Sequence, residues 1–551
     1  MTSSMPTKQT SINDLPPEML LNIFDYLDSN SLINSIITQK KWMNLILNSK
    51  SNLFNETVLI NPGNIDNVIR IDKIFKNLTI EVPEMEPGPH VTYYIKLMNF
   101  LSGLRKKITT FKLLFMEPRM LVRLCANMES LTHLTIEATK SLDDPLTDKM
   151  DANKYQIYLP NLKSLVVHNA TRALRFIDEN HKLEYLKVVE LQNRQTSRDI
   201  NGFLMFCTKI RKMEIVSNIP YFHNPDDFFF PLSSLRISLN GQQLPCARSV
   251  KLLMKHQIRT LKEISCEGFG TERIIRYILR KVPVSSLDID ISTSRDFVEF
   301  RQVNHSIKKL KIKASSVSIN NLIHILLKCK EIEDLSIQIN NTFLFATWLG
   351  IVSRMSHLRS LHIDSLLEVR LAPHIILDGI ETLTVTKLGS DLQVHAWLQL
   401  ASRCPNAKKI VVTNWGSRFV PNFNPNETTT TKVLLKKAYL RYLFTSLPHL
   451  EELEIRGKFP ISVNFANNFV DLLNLTNLKK FSFEPDPDMI NQLDESLKKF
   501  HDTRLKVCVL KTDIKKEEHH IDYIRNKVIN PRIYPRLNAD YPRYFEDDIE
   551  F

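Results

Sequence analysis

One hydrophobic motif recurs along most of the chain: an apolar residue, two variable ones, a second apolar residue, one variable, and a third apolar residue. Its first position falls at Phe75, Ile108, Leu131, Leu162, Leu183, Ile210, Leu232, Leu261, Val284, Ile307, Ile332, Leu358, Ile380, Ala407, Leu450 and Leu478. The intervals average about 27 residues, and a steady period of that size marks a repeat architecture. The second and third apolar residues lie two apart, so on an extended chain they share one face. Each motif therefore predicts a short strand with that pair turned inward, Leu310 and Ile312 for example. Between motifs, apolar residues fall three and four apart, as at Ile274, Ile275, Ile278 and Leu279, or Leu322, Ile325 and Leu326, or Trp397, Leu398, Leu400 and Ala401. Those spacings predict helices. Strand and helix in alternation give an α/β fold of parallel strands joined by crossovers. Helices on one side only leave the other sheet face in water, and the array should curve into a horseshoe. A purely helical array does not suit the Ile- and Val-rich motifs.

The pattern before Phe75 is different. Pro16 and Pro17 suit the first turn of a helix, where a missing N–H costs nothing. Leu20, Ile23, Phe24 and Leu27 then form an apolar stripe, with a second helix predicted at Leu32, Ile33, Ile36 and Ile37 and a third at Trp42, Leu45 and Ile46. Three helices this short cannot bury all those side chains among themselves, so a partner surface must take the remainder.

Composition changes this picture little. With 551 residues, 43% apolar and 24% charged, the chain is long enough for several domains or an array. Only 12 glycines argue against phosphate-cradling loops. Residues 1–13 are polar with no secretory core, and the longest apolar run, 343–352, is about half of what a bilayer requires. Seven cysteines without a CxxC pair read as reduced thiols, so the expected compartment is cytoplasm or nucleus, with no membrane partner. A net charge of +13 invites a nucleic-acid reading, but the cations are dispersed among acids without a dense Lys/Arg run, and no nucleic-acid partner is expected.

Catalytic chemistry finds no foothold. Gly268-Phe269-Gly270 is followed by Thr271, Glu272 and Arg273, so the third glycine of a dinucleotide loop is missing. His519-His520 lacks metal-ligand spacing. Cys207, Cys329 and Cys404 each stand three residues before a motif, the constant offset expected of a core ladder. No cofactor and no catalytic residue is expected.

Candidate binding residues lie elsewhere. Outward strand positions include Ser286, Asp288 and Asp290, then Lys309, Lys311 and Lys313, then Asp334, Ser336 and Gln338. Parallel neighbours would set the lysine column between two acidic ones. Either these charges pair with one another in water, or they form a mixed-charge floor for a protein segment. The interval from Ala407 to Leu450 exceeds the mean by about sixteen residues and carries Trp415, Phe419 and Phe423, and long loops in compact arrays are often functional. From about Lys511 the chain turns to Tyr-Pro pairs, Tyr534-Pro535 and Tyr541-Pro542, and an acidic end.

Two resemblances draw these observations together. Residues 75–510 resemble the leucine-rich repeats, with Cys404-Pro405-Asn406-Ala407 similar to the helix-to-strand joint of repeats attached to F-boxes. The turn-capping Asn or Cys of that family is matched only at Asn218, Asn240 and Asn340, so the repeats are irregular. Leu15-Pro16-Pro17-Glu18, Leu20, Ile23-Phe24, Tyr26-Leu27, Leu32 and Trp42 resemble the F-box. Departures are Ser31 for the usual Asp, Thr38-Gln39 for Val-Cys and Phe54 for a terminal Trp, which bear on adaptor affinity. The resemblance implies a disordered stretch 1–12, an F-box at 13–57, a repeat horseshoe at 58–510 and a tail at 511–551. It implies that Leu15, Pro16, Leu20, Ile23, Phe24, Leu27, Leu32 and Trp42 hold a Skp-type adaptor, and through it a cullin and a RING subunit. The chain would be the non-catalytic, substrate-choosing subunit of a ubiquitin ligase. Its target would meet Asp288, Asp290, Lys309, Lys311, Lys313, Trp415 and Phe419. The alternative is a repeat scaffold with no role in degradation.

Overall fold

The computed structural model describes residues 15–24, 57–70, 77–81, 90–114, 118–138, 156–177, 182–190, 196–217, 228–239, 244–268, 272–292, 303–315, 318–339, 345–364, 375–386, 391–413, 441–459, 463–485, 493–500 and 503–510, with single positions 12, 27, 31, 35, 42 and 45. It divides into two compact units, Met1–Val284 and Ser285–Phe551.

In the first unit, helix α1 (Pro17–Phe24) precedes strands β1 (Thr57–Ile60), β2 (Asn77–Glu81), β3 (Thr110–Leu114), β4 (His133–Glu137), β5 (Ser164–His168), β6 (Tyr185–Glu190), β7 (Lys212–Ser217), β8 (Ser234–Leu239) and β9 (Glu263–Gly268). The crossovers hold α2 (Ile65–Arg70), α3 (His90–Leu104), α4 (Pro118–Cys125), α5 (Thr196–Leu204), α6 (Leu244–His256) and, after β9, α7 (Glu272–Lys281). In the second unit the strands are β10 (Ser286–Asp290), β11 (Lys309–Ala314), β12 (Asp334–Ile339), β13 (Ser360–Ile363), β14 (Thr382–Thr386), β15 (Lys409–Thr413), β16 (Glu452–Phe459), β17 (Lys480–Pro485) and β18 (Lys506–Val509). Its helices include α8 (Ile319–Lys328), α9 (Phe345–Val352), α10 (Asp391–Ser402), α11 (Val463–Leu472) and α12 (Leu493–Lys498). Within each unit every strand pairs in parallel with the next, so the fold is α/β and compatible with a solenoid.

The register explains the motif. Leu310 and Ile312 of β11 stand opposite Leu335 and Ile337 of β12, which stand opposite Leu361 and Ile363 of β13, and all six are buried. In the second unit Leu322, Ile325 and Leu326 of α8 are buried beside β11, and in the first unit Ile274, Ile275, Ile278 and Leu279 of α7 are buried in their own core. Burying each Leu or Ile is worth about 1.5–3 kcal/mol, repeated rung after rung. Entry to each strand is fixed by the backbone. The Thr132 carbonyl accepts the N–H groups of Lys163 (2.9 Å) and Ser164 (3.0 Å), and the Glu333 carbonyl those of Arg359 (2.8 Å) and Ser360 (3.0 Å). Asn218, Asn240 and Asn340 lie outside the described residues.

Two local features follow. Gly268 ends β9 with φ +95, and a Cβ there would sit 1.8 Å from the Leu239 carbonyl oxygen. Its glycine is required by that close approach, not by a phosphate. In the second unit Phe469 is ringed by Phe481 (centroids 4.6 Å), Phe444 (5.4 Å) and Phe500 (5.8 Å). This aromatic core fills the space under β16 and β17 with few rotatable bonds.

Candidate functional site

The N-terminal helix builds the first candidate surface. The Pro16 carbonyl accepts the N–H groups of Met19 and Leu20, both at 3.1 Å, and so starts α1. Pro17 occupies its first position, where no N–H is needed. Leu20 and Phe24, four apart, turn inward and are 0% and 2% exposed. The Phe24 ring meets Trp42 edge-on, centroids 5.4 Å apart, and the half-buried indole N–H finds no acceptor among the described residues. Ser35 donates its hydroxyl to the Ser31 carbonyl at 2.8 Å. Leu15 and Leu27 are half-buried.

The flank of α1 beside that buried pair faces solvent. Pro16, Met19 and Ile23 are exposed at spacings of three and four, the latter two 52% and 37%, and Ile12, ahead of the helix, is 46% exposed. Of the residues that the F-box resemblance picks out, Pro16 and Ile23 are thus accessible, while Leu20 and Phe24 are buried alongside them. Leu32 lies outside the described residues. Met19 is missing from that set because the motif passes over it, although the three-and-four spacing was available as a signal.

The outward face of the strands is the second candidate. Register sets Asp288 opposite Lys311 and Asp290 opposite Lys313, while Lys309 stands between Ser286 and Asp334. Lys311 Nζ lies 3.0 Å from Asp288 and Lys313 Nζ 3.3 Å from Asp290. Asp290 also accepts the Ser292 N–H at 2.9 Å. Two of the three lysines of the mixed-charge floor, Lys311 and Lys313, are therefore already paired. Elsewhere on such faces Lys112 meets Glu137 (3.1 Å), Arg236 meets Glu267 (3.0 Å) and Lys409 meets Glu452 (3.1 Å). Burial alone would raise the Glu452 carboxyl, but hydrogen bonds and charge from Lys409 and Lys480 outweigh it and hold it below the usual range. His362 of β13, with Ser336 at 3.4 Å, is depressed by burial and by Lys311, against the pull of Asp364 and Asp334.

A third row runs along the residues that precede the strands of the second unit. Lys308, Glu333, Arg359, Glu381, Lys408, Glu451 and Lys479 alternate in sign from repeat to repeat. Lys308 meets Glu333 at 2.6 Å, Lys408 meets Glu381 at 3.3 Å and Lys479 meets Glu451 at 2.9 Å. The Lys308 hydrogen bond holds the Glu333 carboxyl below its ordinary range. Such exposed pairs are screened by water and salt and hold the strands together only weakly.

The three cysteines of the constant offset lie in the core. Cys207, Cys329 and Cys404 are buried, and burial pushes each thiol up to about 12, far from a reactive thiolate. Cys207 and Cys404 each point at a carbonyl one helical turn back, Phe203 and Leu400, at 3.5 Å. Among the described residues no group of three or more His, Cys, Asp or Glu side chains is placed to hold a metal ion, and no helix is long and apolar enough to cross a membrane. Trp415, Phe419, Phe423 and the tail from Lys511 lie outside the described residues.

No family model and no curated protein matches this chain.

Proposed function

We propose that the chain is the substrate-choosing subunit of a cullin-based ubiquitin ligase. Residues 13–57 are read as an F-box that holds a Skp-type adaptor, and through it a cullin and a RING subunit. Residues 58–510 are read as a leucine-rich repeat horseshoe that presents a target protein on its strand face, with Trp415, Phe419 and the tail contributing apolar anchors. The chain itself does no chemistry in this reading.

One observation carries the proposal: the exposed stripe of Pro16, Met19 and Ile23 beside the buried Leu20–Phe24 pair. An apolar stripe at three-and-four spacing is how a helix docks into a partner groove. The test is capture of a Skp-type adaptor by the full chain. Ile23→Glu should abolish capture while unfolding stability stays within about 0.5 kcal/mol, as for other surface changes. Phe24→Ala should lose capture too, but with a stability loss of about 3–5 kcal/mol from the emptied core position. Undiminished capture by the double variant Pro16→Ala, Ile23→Glu would end the F-box reading. Loss of a bound target on expression of the full chain, but not of one lacking residues 13–57, separates a ligase subunit from a scaffold.

A further inference from the structure

Helices α6 and α7 carry equivalent basic stripes. Arg248, Lys251 and Lys255 in α6, and Arg273, Arg276 and Arg280 in α7, each follow the three-then-four spacing of one helix face. The two sets correspond residue for residue: 273 to 248, 276 to 251, 280 to 255. The buried faces correspond at the same offset, Val250, Leu253 and Met254 in α6 against Ile275, Ile278 and Leu279 in α7. The helices pack side by side, so the stripes form adjacent rows on the side away from the core.

These rows lack the compensation found on the strands. Among the described residues Arg248, Lys251, Lys255, Arg273 and Arg276 make no ion pair, and the Arg276 Nε–H is buried without an acceptor. The Lys251 ammonium is pulled below its ordinary value by burial, then by Arg273 and Arg276. Burial, Arg280 and Arg273 do the same to Arg276, with Glu272 opposing. Like charges held together in this way destabilise the free surface, and an anionic ligand would relieve them. Leu252 lies in the same stripe and is 43% exposed, and Tyr277 is half-exposed beside Arg276.

We propose that the paired stripes of α6 and α7 bind an acidic peptide segment of another protein. Seven residues of helix span about 10 Å and neighbouring helices lie about 8–10 Å apart, so the patch matches three or four residues of extended peptide. Forked guanidiniums at Arg248, Arg273 and Arg276 suit carboxylates or a phosphorylated side chain. Leu252 offers contact to an apolar residue among the acids, which a nucleic-acid backbone does not supply. A patch this short is also a poor track for successive phosphates. The inference does not depend on the F-box reading, since α1 takes no part in it.

The test uses the full chain and a short fluorescein-labelled peptide of Asp and Glu around one Leu, followed by fluorescence anisotropy. Binding should weaken with salt and be absent for the Asn/Gln counterpart. Lys251→Glu with Arg276→Glu should loosen it at least about tenfold, while adaptor capture is unchanged. Replacing one acid of the peptide by phosphoserine should tighten it. If the double variant melts early, Arg248→Gln with Arg273→Gln serves instead, with a loss of about threefold expected at these exposed sites. Equal binding by wild type and that second variant, or no binding by wild type, overturns the proposal. So does tighter, stripe-dependent binding of a single-stranded oligonucleotide or of phosphatidylserine vesicles.

Discussion

The strand face of the second unit and the α6–α7 stripes of the first are both rich in Lys and Arg, and they treat that charge in opposite ways. Each is built by the same rule, that equivalent residues of successive repeats become neighbours. On β10 and β11 the equivalent residues have opposite signs, and Lys311 and Lys313 are paired by Asp288 and Asp290. On α6 and α7 they have the same sign, and repetition adds charge to charge. A repeat array thus turns a choice made at one position into either a neutral ladder or a concentrated field. The neutral ladder is a weak lure for a partner, because a partner must first separate pairs already made. The concentrated field needs no such step.

The largest contrast should come from the core beneath the two surfaces. Leu335→Ala in β12 removes a fully buried rung and should cost about 2–5 kcal/mol, read by urea unfolding. Leu252→Ala, on the exposed stripe, should stay within about 0.5 kcal/mol. Comparable losses at the two positions would mean that the helix stripe is buried in solution.

A smaller effect should distinguish the charges by sign. Asp288→Lys sets a second cation against Lys311 and should destabilise by up to about 1 kcal/mol at low salt, fading as salt rises. Arg276→Glu should leave stability unchanged or raise it by a few tenths, about the size of one helix-surface pair. Destabilisation by both would remove the distinction between the paired and unpaired faces.

The smallest effect is a pH dependence. His362 is held below its ordinary value of 6.5, chiefly by burial. In the window between the folded value and 6.5 the unfolded chain binds the proton more readily, so stability is full above 6.5 and declines as pH falls through that window. His168, also depressed first by burial, acts in the same direction. Melting temperature followed from pH 7.5 downward should fall less steeply for His362→Gln than for wild type. Identical slopes would mean that His362 is freely solvated.

The sixteen motifs read from sequence coincide with β2 to β17, and their inward pairs are buried throughout. The two strands that escaped explain themselves. Register aligns Val58 and Ile60 of β1 with Leu78 and Ile80, and Val507 and Val509 of β18 with Phe481 and Phe483. The first motif position would then fall at Asn55 and Arg504, which are polar, so a three-point pattern passes over both ends. The lysine and aspartate columns were legible because register is fixed by the buried pairs between them. That they meet within 3.0–3.3 Å was not, since strand spacing alone leaves long side chains free to turn to water. The α6–α7 rows were hidden because dispersed cations look innocuous along the chain. Aligning the helices on their buried residues brings Arg248 beside Arg273 and Lys251 beside Arg276.

The row of residues preceding the strands of the second unit, from Lys308 to Lys479, carries a constraint on how this unit can change length. Its signs alternate without a break through seven consecutive repeats. Excising the single repeat that holds Glu333 would bring Lys308 beside Arg359, and duplicating any one repeat would likewise set two equal charges on adjacent rungs. Removing or copying two neighbouring repeats leaves the alternation intact. The row therefore acts as a parity mark, under which gain and loss by twos is electrostatically silent and gain or loss by one is not. Descendants or engineered versions of this unit should differ in length most readily by pairs.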